Sequence, residues 1–274
     1  MKKDLAIVYI VAGISSRFGG KIKQLAKVGP NNETLIEYSL KQALKAGFNK
    51  IIFVVGNKTE KPFKEKFKDN YNNILIQYAL QIYNENNRDK PWGTVDALCA
   101  IKDIINCPFV VCNGDDIYGE NTFKILYNHL QKYNHSATIG YKLSESLPEQ
   151  GAAHRGIFKT KDNIITEINE TFNIEKSKLN KQNLTPDTLC SMNIFALFPE
   201  TVHKLKEILQ KFKENNKESR TIECLLPNEI SNLIKTQNLK LQLYSTTDKW
   251  LGITNPEDEE IIRKKLNNIT SSSH

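Results

Sequence analysis

The first half of this 274-residue chain alternates between short apolar segments and longer amphipathic segments, and this alternation constrains the fold most strongly. Residues 5–12 are almost continuously apolar, which is typical of a strand buried on both faces of a sheet. Strands alternating with helices predict a doubly wound α/β fold with a mostly parallel, Rossmann-like sheet. The predicted strands are residues 5–12, 51–55, 74–80, 109–112 and 137–143, and the predicted helices are residues 34–46, 60–68, 94–105 and 121–133.

The second half of the chain has a different pattern and predicts a smaller, β-rich part attached to the first. Two strand-like segments flank the turn sequence Lys161-Asp162-Asn163, which predicts a hairpin. Residues 172–188 are polar and are predicted to form a loop. We expect one domain over residues 1–274. The further predicted strands are residues 155–160, 164–169, 191–198 and 239–245, and the further predicted helices are residues 200–214, 222–235 and 256–266.

Charge and cysteine content narrow the functional classes. The net charge is +7, but the lysines are scattered among acidic residues, which indicates a solvated surface and no nucleic-acid partner. A local excess of positive charge would suit phosphorylated small molecules. Five cysteines without CxxC spacing favour buried thiols in a reducing compartment. With no signal peptide and no apolar stretch of membrane-spanning length, the sequence predicts a cytoplasmic protein.

A small-residue turn follows the first predicted strand. It reads AGISSRFGG over residues 12–20 and is followed by Lys23. Small residues let backbone N–H groups approach a phosphate, and Arg17 and Lys23 can add cationic contacts to its oxygens. Neither the GxxxxGK[ST] phosphate loop nor the GxGxxG fingerprint is present. The alternative interpretation is an ordinary glycine-rich βα turn.

Two further segments carry candidate chemistry. The strand ending at Cys112 leads into Asn113-Gly114-Asp115-Asp116, and Mg²⁺ would relieve the repulsion between two carboxylates there. The alternative is a loop in which Asp116 caps the next helix. In the segment KPWGTVDAL over residues 90–98, a glycine before a helix offers a flat surface for a nucleobase. The alternative there is a helix cap at Thr94.

Together these segments resemble the sugar-1-phosphate nucleotidyltransferase superfamily, particularly its bacterial UTP–glucose-1-phosphate uridylyltransferase-like group. The matching stretches occur in family order from residue 12 to residue 258. They read AGISSRFGG, KQLAKVGP, KPWGTVDAL, NGDDIYG, HRGIF, SMNIF and DKWLGITNPED. The resemblance implies a GT-A-like nucleotidyltransferase fold, with a nucleotide-binding half at residues 1–145 and an acceptor-binding half at residues 146–274. It also implies an Mg²⁺-dependent enzyme that joins a nucleoside monophosphate from an NTP to a sugar 1-phosphate, with UTP or dTTP favoured.

The resemblance assigns roles to individual residues of this chain. Arg17, Lys23 and Asp115 are implied to be catalytic, and Asp115 and Asp248 are implied to bind the metal. The implied nucleotide-binding residues are Ala12, Gly13, Ile14, Ser15, Ser16, Gln81, Gly93 and Thr94, among which Gln81 reads the base edge. The implied acceptor-binding residues are Gly156, Glu170 and Asn193.

Departures from the family pattern keep alternatives open. Ser15 replaces a glycine of the loop, one extra residue lies within Gly20–Lys23, and Asp96 stands where the group often has histidine. One alternative is a cytidylyltransferase that uses CTP and another phosphorylated small molecule for surface-polysaccharide synthesis. Another is a sugar-nucleotide-binding protein without catalysis. The sequence is compatible with a monomer or a homo-oligomer.

Overall fold

The computed structural model describes residues 2–13, 21–253 and 256–271 of the chain. In chain order, strands β1–β12 are Ala6–Ile10, Lys50–Gly56, Asn70–Tyr71, Ile74–Gln81, Phe109–Asn113, Asp116–Ile117, Ser136–Lys142, Ala152–Lys161, Ile164–Glu175, Leu189–Leu197, Leu241–Ser245 and Leu251–Gly252. Helices α1–α8 are Leu35–Ala46, Glu60–Phe67, Thr94–Cys99, Glu120–Lys132, Leu143–Ser146, Pro199–Asn215, Leu226–Lys235 and Asp258–Ser271. Short 3₁₀ helices occupy Lys23–Leu25 and Lys176–Gln182.

A ten-stranded sheet runs through both halves of the chain, in the order β3-β4-β2-β1-β5-β10-β7-β11-β9-β8. Strand β1 pairs in parallel with β2 and β5, and β2 pairs in parallel with β4. The predicted α/β fold with a parallel first half is therefore confirmed. The second half is mixed, because β10 inserts antiparallel between β5 and β7 and the β8–β9 hairpin extends the far edge.

Both faces of the sheet are covered, as the apolar first strand predicts. Leu5, Ile7 and Tyr9 face one core cluster, while Ala6 and Val8 face another. Helices α1 and α4 contribute to the first cluster, and α3, α6 and α7 contribute to the second. All five of these side chains are fully buried. The two-sided burial explains why this strand lacks alternating polar residues.

Three predicted boundaries differ from the structure for local reasons. Strand β9 continues to Glu175, inside the predicted loop, because Ala152 pairs with Glu175 on the hairpin partner. Helix α3 ends at Cys99, where tighter i+3 turns replace the α-helical pattern. Helix α7 begins at Leu226, four residues later than predicted, because Cys224 exchanges backbone hydrogen bonds with Trp92 and Val95.

Phe53 provides a test of this packing. Its ring is fully buried on β2 and lies within 6.1 Å, centroid to centroid, of the rings of Tyr9, Phe63, Phe67 and Tyr78. Phe53→Ala should lower the free energy of unfolding by about 3–5 kcal/mol through lost burial and a residual cavity. Urea denaturation measures this loss. Leu75→Ala is the control, because that side chain is exposed, and an equal loss in both variants would contradict the packing described.

Candidate active site

The carboxyl ends of four neighbouring strands form one continuous edge of the sheet. Gln81 at the end of β4 pairs with Gly56 at the end of β2. A Cβ at Gly56 would lie 2.9 Å from the carbonyl oxygen of Ala12, which follows β1. The next strand end is that of β5, where the N–H of Gly114 donates to Ile10 O at 3.0 Å. The edge therefore runs from Gln81 past Ala12 to Asp115, where ligands of doubly wound sheets bind.

Lys23 and Asp115 form an ion pair at one end of this edge. Lys23 lies on the short 3₁₀ helix after the small-residue turn, and its Nζ also donates to Ile253 O at 3.1 Å. The N–H of Ile253 donates to Asp115 O at 3.2 Å. Both charged side chains keep partial exposure, 17% for Lys23 and 23% for Asp115. The structure thus brings together two of the three residues that the resemblance implies to be catalytic.

Asp116 is buried directly behind this ion pair. Its Oδ2 accepts hydrogen bonds from Asn113 Nδ2 at 3.0 Å and from Tyr118 OH at 3.1 Å. Burial, together with the neighbouring charge of Asp115, raises the pKa of Asp116 to about 7. A Cβ at Gly252, its partner on β12, would lie 2.5 Å from Asp116 Oδ1. The chain accommodates a second carboxylate here only because residue 252 has no side chain.

Asp248 is engaged at a helix terminus instead of at the Asp115 site. Its Oδ2 accepts a hydrogen bond from the N–H of Thr122, in the first turn of α4, at 2.6 Å. Its carboxyl group also fills the space beside Gly119, which has a φ of 95° and no room for a Cβ. A carboxylate at this position satisfies a free helical N–H and complements the helix dipole. This contact argues against the predicted role of Asp248 as a metal ligand.

Gln81 and Gly93 meet at the opposite end of the edge. Gln81 Nε2 donates to Gly93 O at 3.1 Å and to Asp96 Oδ2 at 2.8 Å. Gly93 has a φ of 95°, and a Cβ there would lie 2.6 Å from Cys224 O. Thr94 does not cap α3, since its Oγ1 accepts from the N–H of Leu226 at 2.8 Å. The three predicted base-side residues are adjacent, but Thr94 is used to join α3 to α7.

The predicted acceptor residues lie on the hairpin and on β10. Gly156 pairs with Glu170 across the hairpin, and a Cβ at Gly156 would lie 3.6 Å from Glu170 Oε2. Gly156 also pairs with Ser191 of β10. Asn193, two residues further, has a φ of 56° in the irregular part of that strand. Burial raises the pKa of Glu170. Gly156 and Glu170 are therefore direct neighbours, with Asn193 close to them along β10.

Four of the predicted triphosphate-binding residues fall outside the described ranges. Ile14, Ser15, Ser16 and Arg17 lie outside the described residues. Gly13 is described, and its carbonyl accepts from Gln24 Nε2 at 3.3 Å.

Two charged side chains join the site without having been predicted. Lys213 Nζ binds Asp96 Oδ1 at 2.5 Å, from 117 residues further along the chain. The Arg155 guanidinium lies 5.6 Å from the Trp250 ring centroid. The HRGIF segment pointed to the neighbourhood of Arg155, whereas no sequence pattern signals the pairing of Lys213 with Asp96.

Membrane-spanning helices and clusters of metal-binding side chains are not found among the described residues. Between residues 2 and 271, leaving out 14–20 and 254–255, no helix is long and apolar enough to cross a membrane. In that same part of the chain, no three His, Cys, Asp or Glu side chains cluster as a metal site. The five cysteines are all buried and unpaired with one another, as their spacing predicts.

The strand order describes an α/β fold that solved nucleotidyltransferase structures share. The chain belongs to the nucleotidyl transferase family, whose model matches residues 20–257. The resemblance seen in the sequence is thereby confirmed. No curated protein sequence matches the chain.

Solved structures share this fold at low sequence identity. A UDP-glucose pyrophosphorylase complexed with UDP-glucose has 17% identity and a TM-score of 0.68, over 97% of this chain and 99% of its own. A Bacillus anthracis protein provisionally assigned as a glucose-1-phosphate thymidylyltransferase has 14% identity and a TM-score of 0.71, over 96% of both chains. The inositol-1-phosphate CTP transferase from T. maritima has 14% identity and a TM-score of 0.68, over 97% of both chains.

The buried carboxyl of Asp116 should make stability depend on pH. Its pKa is about 7 in the folded protein, against an ordinary value of 3.8. The folded state therefore holds more protons than the unfolded state between about pH 4 and pH 7, and stability falls as pH rises through that range. Asp116→Asn should remove this dependence and raise the free energy of unfolding at pH 8 by about 1–3 kcal/mol.

Chemical denaturation in EDTA from pH 4 to pH 8 measures the effect. The gain from Asp116→Asn should be largest above pH 7 and should shrink towards pH 4. Asp187→Asn is the matched control, because Asp187 is exposed and forms a surface ion pair with Lys142. Parallel pH profiles for wild type and Asp116→Asn would contradict the expected titration.

Proposed function

We propose that the chain is an Mg²⁺-dependent nucleotidyltransferase that transfers a nucleoside monophosphate from an NTP to a sugar 1-phosphate. UTP or dTTP is the favoured donor, and an NDP-sugar and pyrophosphate are the products. The proposal rests chiefly on the Lys23–Asp115 ion pair at the carboxyl edge of the sheet, in a chain of this family. A cation and a carboxylate at one strand tip suit the binding of phosphate together with a metal ion.

The carboxylates at this strand tip fit a hard divalent cation. Asp115 is partly exposed, and Asp116 is buried beside it with its pKa raised. Mg²⁺ prefers a few carboxylate oxygens together with waters and substrate phosphates, so a two-carboxylate set is sufficient. We assign Asp115 and Asp116 as the residues that would hold Mg²⁺, in place of Asp248. When bound, the ion would neutralise charge on the reacting phosphates.

The reaction needs positioning and electrostatics more than acid–base chemistry. An oxygen of the acceptor phosphate forms a bond to the α-phosphorus, while the bond from the α-phosphorus to the bridging oxygen breaks and pyrophosphate leaves. A phosphate monoester is already ionised at neutral pH, so no general base is required. Lys23 would stabilise the charge that develops on the phosphates. Arg17, Ser15, Ser16, Ile14, Gly13 and Ala12 are proposed to hold the triphosphate.

The second half is proposed to bind the acceptor. Gly156 is buried beside Glu170, and a Cβ there would lie 2.9 Å from Ile168 Cγ2, so the close packing of the hairpin against this carboxylate requires glycine. The carboxylate of Glu170 could accept hydrogen bonds from sugar hydroxyls, and Asn193 could add an amide contact. A cytidylyltransferase acting on another phosphorylated small molecule is the second candidate, because the inositol-1-phosphate CTP transferase shares this fold to a similar degree. We place the reaction in the cytoplasm.

Pyrophosphate release tests the reaction class. The purified protein is incubated with Mg²⁺, each of the four NTPs and a panel of sugar 1-phosphates and other phosphorylated acceptors. Release should occur with UTP or dTTP and a hexose 1-phosphate. Release only with CTP would favour the second candidate. If no pair of NTP and acceptor gives release, the result favours a sugar-nucleotide-binding protein without catalysis.

Substitutions at the ion pair test the mechanism. Asp115→Ala should lower turnover by about 10²–10³-fold or more while the protein stays folded, because the metal-binding carboxylate is lost. Lys23→Met should lower kcat by about 10²-fold. Asp187→Asn controls for the loss of one exposed carboxylate that is not part of the ion pair, and circular dichroism checks folding. Turnover equal to wild type in Asp115→Ala would remove that residue from the mechanism.

A further inference from the structure

The amide of Gln81 has a fixed orientation that its two partners impose. Nε2 lies 3.1 Å from Gly93 O and 2.8 Å from Asp96 Oδ2. A backbone carbonyl and a carboxylate can only accept hydrogen bonds, so both require the NH₂ group of the amide. Rotation by 180° would place Oε1 against two oxygens. The NH₂ group therefore bonds to groups on the α3 side. Among the described residues no hydrogen bond reaches Oε1, so this atom can accept one from a ligand.

Asp96 is itself held in the acceptor role. Its other oxygen, Oδ1, accepts from Lys213 Nζ at 2.5 Å, and the Asp96 side chain is only 8% exposed. As a carboxylate paired with this ammonium, Asp96 has no hydrogen to donate. Lys213 is also placed by Trp92, whose ring centroid lies 5.8 Å from Nζ. Lys213 and Gln81 therefore both donate hydrogen bonds to the Asp96 carboxylate.

Gln81 stands where a nucleobase would meet the protein under the proposed function. It is the last residue of β4, paired with Gly56, and Gly56 abuts Ala12. The Lys23–Asp115 pair lies at the other end of the same edge. A nucleotide with its phosphates at Lys23 would extend its base towards Gln81.

We infer that Asp96 is a positioning residue that sets nucleobase choice by fixing the Gln81 amide with Oε1 towards the base. This inference rests on the proposed function. Uracil and thymine carry an N–H at ring position 3, which can donate to Oε1. Cytosine carries a lone pair at the same position, which would face the lone pairs of Oε1. The arrangement therefore selects uracil or thymine nucleotides over cytosine nucleotides.

Asp96→Asn tests the inference because it changes the chemistry without changing the shape. In this variant the Lys213 ammonium should attract the amide oxygen of residue 96 and turn its NH₂ group towards Gln81. Two NH₂ groups would then face each other. The Gln81 amide should therefore rotate so that Oε1 accepts from residue 96, its hydrogen bond to Gly93 O is lost, and Nε2 is offered to the base. The ratio of the CTP and UTP dissociation constants, measured by calorimetry with Mg²⁺, should fall from about tenfold or more to about threefold or less.

A second substitution should restore the preference. In Asp96→Asn with Lys213→Met, nothing holds the amide oxygen of residue 96 away from Gln81, so that oxygen can accept from Nε2 again. The preference for UTP should return towards the wild-type ratio. Lys213→Met alone should keep the wild-type ratio, because Asp96 can still only accept. A purely structural role for Asp96 predicts no such rescue of base selectivity by removal of its ion-pair partner.

Further variants keep the test decisive. Gln81→Met should lose the preference for UTP over CTP, even if Asp96→Asn fails to fold, and Asp187→Asn should keep it. The inference is overturned if wild type prefers CTP, or if Asp96→Asn or Gln81→Met retains the wild-type ratio. If the wild-type protein binds no NTP and releases no pyrophosphate, the proposed function itself is contradicted. If Asp96→Asn releases pyrophosphate and keeps the wild-type preference for UTP, only the inference about Asp96 is contradicted.

Discussion

The ion pair between Lys23 and Asp115 is the interaction on which the rest of the candidate site depends. It joins the segment after the small-residue turn to the tip of β5. The backbone of Ile253 completes the junction, since it accepts from Lys23 and donates to Asp115 O. Three regions far apart in sequence are thereby fixed at one sheet edge. A nucleotide bound there would meet preformed charges, which reduces the cost of organising them during a reaction.

The second carboxylate shows how the chain tolerates an unfavourable group at this edge. Asp116 is buried next to another carboxylate, and two hydrogen bonds to its Oδ2 offset only part of the desolvation. Gly252 leaves the space that the group occupies. Burial of this carboxylate is unfavourable by itself, which is consistent with the metal-binding role proposed for it.

Sequence patterns predicted those parts of the fold that depend on local periodicity. The two-sided burial of β1 follows from its apolar run, and the parallel first half follows from the alternation of strands and helices. In the second half, the antiparallel β8–β9 hairpin follows from its turn sequence. The pairing direction of β10 does not, because β10 reads as an apolar strand whether it pairs parallel or antiparallel. Periodicity reports which residues are buried and carries no information about the neighbouring strand.

At the candidate site too, local sequence patterns predicted some positions, whereas contacts between distant segments were not predicted. The position of Asp115 at the sheet edge was predictable because it follows a buried strand, where parallel sheets place ligands. The position of the Asp248 carboxylate was not predictable, because closeness in sequence to Trp250 and Gly252 does not fix where it lies. It accepts a hydrogen bond in the first turn of α4. The Asp96–Lys213 pair had no sequence signal, since it joins α3 to α6 across 117 residues.

The base-side end of the edge also depends on the second half of the chain. The guanidinium of Arg88 stacks 3.4 Å from the Trp92 ring centroid and donates to Ser219 O and Ile222 O. The backbone of Cys224 can lie against residue 93 only because Gly93 has no Cβ, and Lys213 is paired with Asp96. A division into a nucleotide-binding half and an acceptor-binding half therefore describes proposed ligands and not independent folding units. Residues between 213 and 226, from the second half of the chain, therefore pack directly against the end of the edge where Gln81 lies.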